Sequence, residues 1–522
     1  MSSGRTNYSE LNVLIVDDFP NFCSAIRAMV YSFGCEKVDI VLHGEDAIRM
    51  LTKTRYDLIL SDYNLGEGKN GNDVLEEAKH HRLLKGSALY IMITAENSAE
   101  MVRGALEYSP DDYLMKPFTK EVLQSRLERL LERNRLFVPV YKAMDRQDYN
   151  QARDRLDQVL AQKSRYKRYG QRLKSQLLFD TEQYQEATEL FQQVLKEKSL
   201  PWAKLGLGKS QYLNQQLEQA EAAFNDLLDE DKGYVQAWDW KARCQEKRAD
   251  LEGAQASLQE AVKISPANVR RQVQLGDLAA KNGDAEQAQR AYSRAVKVGK
   301  NSVFRSPDNY LKLSDILVEQ LENTEGLSKK LIETKALGAM DELRHLYQSD
   351  NEINTRSRLI DHQVHSIQGH EFEAEKAMFK AYDLISKDTE GKLSGALKEK
   401  VIKNLEAMGR QGMADKVVAA MQQEESSHNT LAASYYEQGD LEKALDALKV
   451  ALVDKPRSYA VCLNTAQVAI HYMVKSGVND ELIGLADGAL QRASGLSEDD
   501  RRYSTFQNLL KRLDKIKQTG AL

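Results

Sequence analysis

The chain has few of the residues and segments that mark secreted and membrane proteins. Its 522 residues include 4 cysteines, far apart and without a Cys-x-x-Cys pair, which excludes a disulfide framework and a cysteine-based zinc site. No apolar run approaches the about 18–20 residues of a membrane helix. The N-terminal stretch MSSGRTNYSELN lacks the apolar core of a signal peptide. We therefore expect a cytoplasmic protein with reduced thiols.

A strong excess of charge of one sign is also absent. The 73 lysines and arginines nearly balance the 78 aspartates and glutamates, which leaves a net charge of −5. This balance provides no bulk attraction to nucleic acid or to a membrane surface. We expect neither membrane insertion nor nucleic-acid binding.

Residues 10–120 alternate short apolar runs with amphipathic, helix-like stretches. The predicted strands are VLIV (13–16), VDIVL (38–42), DLIL (57–60), LYIMI (89–93) and DYLM (112–115). Strands that alternate with helices in this way predict an α/β domain with a five-stranded, doubly wound parallel sheet covered on both faces. Ligands of such sheets bind outside the carboxyl ends of the strands.

Polar side chains stand where four of these strands end. Asp17 and Asp18 follow the first strand, Asp62 ends the third, Thr94 ends the fourth and Lys116 follows the fifth. Because the carboxyl ends of parallel strands share one edge of a sheet, we expect these side chains to converge. Three neighbouring carboxylates repel one another unless a cation joins them. An oxygen-rich cluster of this kind suits Mg²⁺.

The runs VDD, SD, TA and DYLMKPF, in this order after five strands, resemble the receiver domain of two-component response regulators over about residues 10–130. The resemblance implies a flavodoxin-like fold and makes Asp62 the phosphoacceptor. It implies that Asp17, Asp18 and Asp62, with the backbone carbonyl of Asn64, hold Mg²⁺ or Mn²⁺. It also implies that a sensor histidine kinase or a phosphotransfer protein donates the phosphoryl group.

The same resemblance assigns roles to the last two strand ends. Lys116 is expected to bind the phosphoryl group, and its peptide bond to Pro117 is expected to be cis. Thr94 is the hydroxyl that moves to bind the phosphoryl group. Tyr113 is the switch aromatic that turns inward when Thr94 moves.

The segment after the acceptor departs from the family pattern. Many receivers have a Met-Pro-Gly turn here, whereas this chain has the longer, proline-free run NLGEGKNG. No reacting group is lost. Asn64 and Glu96, two residues beyond Asp62 and Thr94, are polar and placed to steer a hydrolytic water, so we expect them to tune the lifetime of the acyl phosphate.

After about residue 120 the strand pattern gives way to a helical repeat. Its core alanines recur at intervals of 33 to 35 residues: Ala152, Ala187, Ala220, Ala254 and Ala288. A bulky side chain follows four residues after each: Leu156, Phe191, Phe224, Leu258 and Tyr292. Small residues stand twelve positions before the last three alanines: Gly208, Ala242 and Gly276. A period near 34 with this pattern resembles the tetratricopeptide repeat family, an α-solenoid of helical hairpins that binds other proteins.

The domain bounds follow from these two patterns. We predict a receiver domain at 10–133, whose last helix runs into the linker, and an α-solenoid at 136–522. The repeats are clearest at about 136–300 and 425–457, degenerate at about 301–424, with one weak unit around Ala374, and followed by C-terminal helices at 458–518. The stretch 300–360 is expected to be helical but off-period, with longer helices.

The predicted function is that of a response regulator whose output is protein binding through the repeats. The receiver would catalyse only its own phosphorylation and dephosphorylation, and no separate enzymatic motif stands out. One alternative is a constitutive scaffold whose receiver only docks a kinase. Another is a transcriptional regulator, although no helix-turn-helix follows residue 130.

Two further features of the repeats attract attention. The basic stretch KSRYKRYGQRLK (163–174) is expected to be a solvated helix face or a protein-docking surface rather than a nucleic-acid site. Trp202, Trp238 and Trp240 are expected to lie in the core or to line a groove.

Overall fold

The computed structural model describes residues 8–95, 109–162, 164–388, 392–424 and 426–519. The chain divides into two compact units, Met1–Asn309 and Tyr310–Leu522. The first contains the α/β domain and the regular repeats, and the second contains the remaining helices. None of the described helices is long and apolar enough to cross a membrane.

The first unit begins with a five-stranded parallel sheet, as predicted. Its strands are β1 (Asn12–Val16), β2 (Lys37–Val41), β3 (Leu58–Asp62), β4 (Leu89–Thr94) and β5 (Asp112–Met115). Their order in the sheet is β2-β1-β3-β4-β5. Nearly every residue of the three central strands is buried, because helices cover both faces. Both edge strands are more exposed.

Helices pack on the two faces of the sheet. Helices α1 (Pro20–Phe33) and α4 (Lys120–Asp145) place Ile26 and Leu127 on one face. Helices α2 (Gly44–Lys53) and α3 (Gly71–His80) place Leu51 and Val74 on the other. The α/β domain is therefore doubly wound, with a separate apolar cluster under each pair of helices.

Helix α4 joins the α/β domain to the repeats without a break. It is 26 residues long, and the predicted boundary at 133–136 lies inside it. Arg133 pairs with Asp111 at 2.6 Å, and the Asn134 amide donates to the Ser87 carbonyl at 2.6 Å. Further along, Phe137 is fully buried among the first repeat helices. One continuous helix thus packs against both the sheet and the first hairpin. Because this helix crosses the predicted boundary, the domain bounds remain a prediction.

The regular repeats form helical hairpins. Their helices are α5 (Tyr149–Leu160), α6 (Lys167–Asp180), α7 (Tyr184–Glu197), α8 (Pro201–Leu213), α9 (Leu217–Glu230), α10 (Val235–Lys247), α11 (Leu251–Ile264), α12 (Val269–Lys281) and α13 (Ala285–Val298). A Cβ added to Gly208 would lie 2.4 Å from the Phe224 ring, and one added to Gly276 would lie 2.5 Å from the Tyr292 ring. The predicted small and bulky positions therefore meet inside each hairpin, which explains the period.

The turns of these hairpins are also encoded locally. Gly283 has a φ of 74° and leads into Asp284, whose carboxylate accepts a hydrogen bond from the Gln287 N–H at the start of α13. Asp148 and Asp250 cap α5 and α11 in the same way. An aspartate at this position satisfies a helix N–H group that has no partner within the helix.

The second unit also consists of helices. They are α14 (Pro307–Glu322), α15 (Leu327–Leu346), α16 (Asn351–Ile367), α17 (Glu371–Ser386), α18 (Gly395–Ala407), α19 (Gln411–Gln422), α20 (Ser427–Glu437), α21 (Leu441–Asp454), α22 (Tyr459–Ser476), α23 (Asp480–Arg492) and α24 (Tyr503–Thr519). Ala336, Met340 and Leu343 are fully buried and repeat the alanine-plus-four pattern. The alignment of the alanines within the sequence did not identify this unit, because α15 and α16 have 20 and 17 residues and lengthen the repeat period.

Candidate functional site

The site lies at the carboxyl edge of the sheet, where the parallel strands end. β1 and β3 are neighbours with Val16 opposite Ser61, so the residues that follow β1 lie beside Asp62. β4 and β5 pair with Thr94 opposite Met115, which places Lys116 at the same edge. The sheet topology alone therefore brings together the strand-end residues chosen from the sequence.

Lys116 joins two of the carboxylates. Its Nζ lies 2.7 Å from Asp17 Oδ2 and 3.1 Å from Asp62 Oδ2. The ring of Phe22, in α1, lies 4.2 Å from the same nitrogen. Backbone N–H groups hold the other oxygens, with Phe19 donating to Asp17 Oδ1 at 2.9 Å and Tyr63 donating to Asp62 Oδ1 at 3.0 Å. The Lys116–Pro117 peptide bond is cis.

Burial controls the electrostatics of the Asp62 carboxylate. Asp62 is 6% exposed, and burial raises its pKa to about 6. This value is the balance of burial and the negative charge of Asp17, which raise the pKa, against Lys116 and the Tyr63 N–H, which lower it. Burial lowers the pKa of Lys116, but its contacts with Asp17 and Asp62 outweigh burial and leave that pKa raised. The site thus concentrates negative charge that one lysine only partly offsets.

The donor set fits a hard divalent cation. Oxygens of Asp17, Asp18 and Asp62 lie within 4.8 Å of one another. Asp18 Oδ1 is buried and has no hydrogen-bond partner in the part of the chain that the structure describes. A buried carboxylate oxygen without a partner is costly, and coordination to Mg²⁺ or Mn²⁺ would satisfy it. Asp18 does not cap α1, whose start has no side-chain cap.

Glycines shape the loop that departs from the family pattern. Gly66 has a φ of 74°, and a Cβ there would lie 3.4 Å from Asp18 Oδ2. A Cβ on Gly71 would lie 2.2 Å from the Asp62 carbonyl oxygen. Helix α3 begins there with a reciprocal capping box between Asn70 and Asp73. The loop therefore packs directly against the end of β3, while the side chain of Asn64 is exposed.

The predicted switch residues lie at the same edge. Thr94 ends β4 and is 9% exposed. Tyr113 is half-buried against the apolar cluster under α2 and α3, and its buried hydroxyl has no hydrogen-bond partner among the described residues. Burial raises the pKa of this hydroxyl. Glu96 lies outside the described residues.

The sequence did not predict a direct contact between this domain and the far end of the regular repeats. The Lys69 ammonium donates to the Asn301 carbonyl, and the Asn301 amide donates to the Gly68 carbonyl at 2.6 Å. Ser302 Oγ donates to Glu76 Oε2 at 2.7 Å. Within the first unit, the loop after β3 and helix α3 are thus tied to the segment that follows α13. The segment 299–306 carries no motif that could have revealed this contact.

The rings of His80 and Phe304 extend the same contact. They meet edge to face with centroids 5.3 Å apart, and Arg270 lies 4.6 Å from the centroid of the Phe304 ring. Lys69 also pairs with Glu77 at 2.8 Å. The contact therefore combines polar and aromatic interactions on one face of α3.

The fold and the site define an α/β receiver with a helical-repeat extension, and comparison with known proteins identifies its family. Residues 13–128 match the response regulator receiver domain, and residues 178–244 and 235–268 match tetratricopeptide repeats. The chain belongs to the response regulator receiver family through its N-terminal quarter and continues into tetratricopeptide repeats.

Single-domain chemotaxis proteins are among its relatives. CheY-3 of Vibrio cholerae is 30% identical over 123 residues, which are 24% of this chain and 93% of that protein. CheY of Pseudomonas aeruginosa is 29% identical over 123 residues, 24% of this chain and 98% of that protein. The solved receiver domain protein of Methanospirillum hungatei matches with 25% identity and a TM-score of 0.22, covering 24% of this chain and 96% of its own.

Proposed function

We propose that Asp62 accepts a phosphoryl group from a sensor histidine kinase or a phosphotransfer protein, and that the repeats pass the signal on by binding a protein. The supporting observation is the cluster of Asp17, Asp18 and Asp62, in which Lys116 bridges two of the three carboxylates. Phosphoryl transfer depends on positioning and charge stabilisation more than on a base, and these residues provide both.

In the proposed reaction, an Asp62 oxygen attacks the phosphorus of a phosphohistidine. The new O–P bond forms as the P–N bond breaks, and the donor imidazole leaves with the electron pair. Lys116 offsets negative charge on the transferred oxygens. Mg²⁺ or Mn²⁺ held by Asp17, Asp18, Asp62 and the Asn64 carbonyl would neutralise further charge when bound.

The product changes the charge at the sheet edge. A phosphoryl group brings about −1.5 to −2 charges and three strong acceptor oxygens. We expect Thr94 to donate to one of these oxygens and Lys116 to shift toward them from Asp17. Tyr113 would then repack beside Thr94. Asn64 and Glu96 would orient the water that hydrolyses the acyl phosphate.

The contact with the segment after α13 provides a route from Asp62 to the repeats. Gly66 lies beside Asp18, and Gly71 packs on the Asp62 carbonyl. Lys69, between them, contacts Asn301. A change in metal or phosphoryl occupancy that moves the loop would therefore alter the contact of Lys69 with Asn301. Helix α4 provides a second connection between the receiver and the repeats.

The test is labelling of the full chain with acetyl phosphate and Mg²⁺, followed by intact-mass analysis. We expect one phosphoryl group on the wild-type protein and none on Asp62→Asn. Asp46→Asn, which changes a surface carboxylate paired with Arg49, is the control and should label normally. Equal labelling of the wild type and Asp62→Asn would contradict the proposal. Labelling without any change in the repeats would favour the alternative of a constitutive scaffold.

A further inference from the structure

The repeats carry a cluster of cations and aromatic rings around Trp240. We define the Trp240 cluster by its members, Lys209, Tyr212, Trp240, Arg243 and Lys247. We propose that this cluster binds an acidic segment of the partner protein. The proposal rests on the proposed function only in treating the repeats as the partner-binding part, and it does not require phosphorylation of Asp62.

The cluster lies on one face of the stacked hairpins. Helices α8 and α10 are the first helices of successive hairpins and pack side by side. Lys209 directly follows the small residue Gly208, and Arg243 directly follows the equivalent small residue Ala242. Equivalent positions in successive repeats face the same way, so the two cations belong to one surface.

Both cations lie against the indole of Trp240. Lys209 Nζ is 5.1 Å from the centroid of the Trp240 ring, and Arg243 Cζ is 4.4 Å from it. Tyr212 meets Trp240 edge to face at 5.4 Å, and Lys247 Nζ lies 5.2 Å from the Tyr212 ring. Lys209 and Arg243 are half-buried. The rings hold three cationic side chains close together.

Within the part of the chain that the structure describes, neither Lys209 nor Arg243 forms an ion pair with a carboxylate. Carboxylates on neighbouring helices are used by other cations. These pairs are Lys204 with Asp226 and Glu230, Arg248 with Glu221, Lys281 with Glu246, and Arg271 with Asp239. The positive charge of the cluster therefore lacks a counter-ion within this part of the array.

This arrangement is unfavourable until an anion binds. The pKa of Lys209 is lowered, first by burial and then by the charge of Arg243. Cation–π contacts are weak and do not neutralise charge. A carboxylate that binds between Lys209 and Arg243 would form charge-assisted hydrogen bonds with both side chains.

The basic stretch at 163–174 shows the same difference between cations paired with carboxylates and cations that lie on aromatic rings. Four of its basic side chains pair with carboxylates, and they are Arg165 with Glu132, Lys167 and Arg168 with Glu197, and Lys174 with Asp157. Arg172 instead lies 5.5 Å from the centroid of the Trp202 ring. Arg172 thus repeats the cation–aromatic arrangement on helix α6, without an ion pair to any described carboxylate, so the surface can follow an extended segment with more than one acid.

The geometry favours an acidic peptide over a nucleic acid. Single-stranded nucleic acids bind by stacking their bases on open aromatic faces. The ring of Trp240 is already engaged by Lys209, Arg243 and the edge of Tyr212. The cluster also lies in a chain whose net charge is −5. The cations, rather than the ring, are therefore the groups left to contact a ligand.

The test is selection of random peptides on phage with the unphosphorylated full chain as bait. We expect the selected pool to be rich in Asp and Glu relative to the input, and a fluorescent peptide from it to bind at least about tenfold more weakly to Lys209→Gln/Arg243→Gln. The matched control is Lys204→Gln/Lys281→Gln, which removes the same charge from paired positions and should leave binding nearly unchanged. Circular dichroism checks that both variants are folded.

Each outcome of this experiment decides the proposal. A pool without an acidic excess, or equal weakening by the control variant, would overturn it. Tighter binding of a single-stranded oligonucleotide than of the peptide, lost with the same double variant, would assign the cluster to nucleic acid instead. Because the bait carries no phosphoryl group, Asp62→Asn should bind the peptide normally. Failure of the phosphorylation chemistry would therefore leave this result untouched.

Discussion

The receiver and the repeats of this chain differ in how function is distributed over residues. In the receiver, a few side chains converge at one sheet edge, and Lys116 contacts both Asp17 and Asp62. In the repeats, the periodic residues such as Ala220 and Phe224 are buried and form the core. A motif in the receiver therefore identifies the candidate reacting groups, whereas a motif in the repeats identifies packing residues and does not identify the binding surface.

The largest effect that this comparison predicts is the loss of labelling without metal. EDTA should reduce labelling of the wild type by acetyl phosphate to background, and added Mg²⁺ should restore it. Asp18→Asn should raise the Mg²⁺ concentration that gives half-maximal labelling by more than about tenfold. Even groups outside the first coordination shell contribute that much to metal affinity. Metal titration followed by intact mass measures both. If the wild type is labelled equally with and without EDTA, metal binding by the acidic cluster is not part of the mechanism.

A comparable single change in the repeats should affect stability alone. Lys398 is 2% exposed and pairs with Asp388 at 2.8 Å and with Glu424. Lys398→Met leaves the buried Asp388 carboxylate without its cation, although Glu424 keeps its pair with Lys455, and this change should cost about 3–5 kcal/mol of unfolding free energy. Urea denaturation followed by circular dichroism measures this loss, and labelling of Asp62 should persist.

The exposed pair of Lys387 and Asp383 provides the control for that variant. Lys387→Met should have no measurable effect, because exposed ion pairs contribute little. Equal destabilisation by the two variants would show that burial of the Lys398 cluster does not matter.

A smaller loss of stability should follow from filling the space beside Phe224. In Gly208→Val the new side chain meets the Phe224 ring, since a Cβ alone would lie 2.4 Å from it. Overpacking of this kind costs about 1–3 kcal/mol. The control is Gly338→Ala, in helix α15, where a Cβ meets nothing within 4 Å. It should stabilise its helix by up to about 1 kcal/mol, and a loss there would contradict the packing argument.

The sequence predicted that the strand-end side chains converge, because this geometry follows from the topology of the sheet. In a parallel sheet with β1, β3, β4 and β5 in this order, Asp17, Asp62 and Lys116 come to the same edge irrespective of the loop sequences. The core of the regular repeats was predictable for a similar reason, since Gly208 and Phe224 must recur at a fixed period.

The remaining features depend on contacts between segments that are distant in sequence. Lys69 and Asn301 meet through the packing of the first unit, and neither stands in a motif. The Trp240 cluster was recognisable only after the structure showed that the neighbouring carboxylates are already paired. The unit around Met340 was hidden because longer helices shift its spacing.

The smallest predicted effect concerns the contact between Ser302 and Glu76, which joins the segment after α13 to helix α3. Ser302→Ala removes the hydroxyl that donates to Glu76 at 2.7 Å. We expect a loss of about 0.5–1.5 kcal/mol from this contact and little change in labelling at Asp62. The readout is the backbone hydrogen exchange of residues 299–306, which should speed up modestly. Slower exchange in the variant would show that this hydrogen bond does not hold the segment.

The most direct test of the account follows the same segment while the acceptor is occupied. Backbone hydrogen exchange of residues 299–306 is compared in the full chain with and without Mg²⁺ and beryllofluoride, a phosphoryl mimic. We predict that exchange in this segment changes in the wild type and stays constant in Asp62→Asn. If Asp62 labels with acetyl phosphate but exchange in 299–306 and throughout the repeats is the same in both states, the receiver does not signal through them.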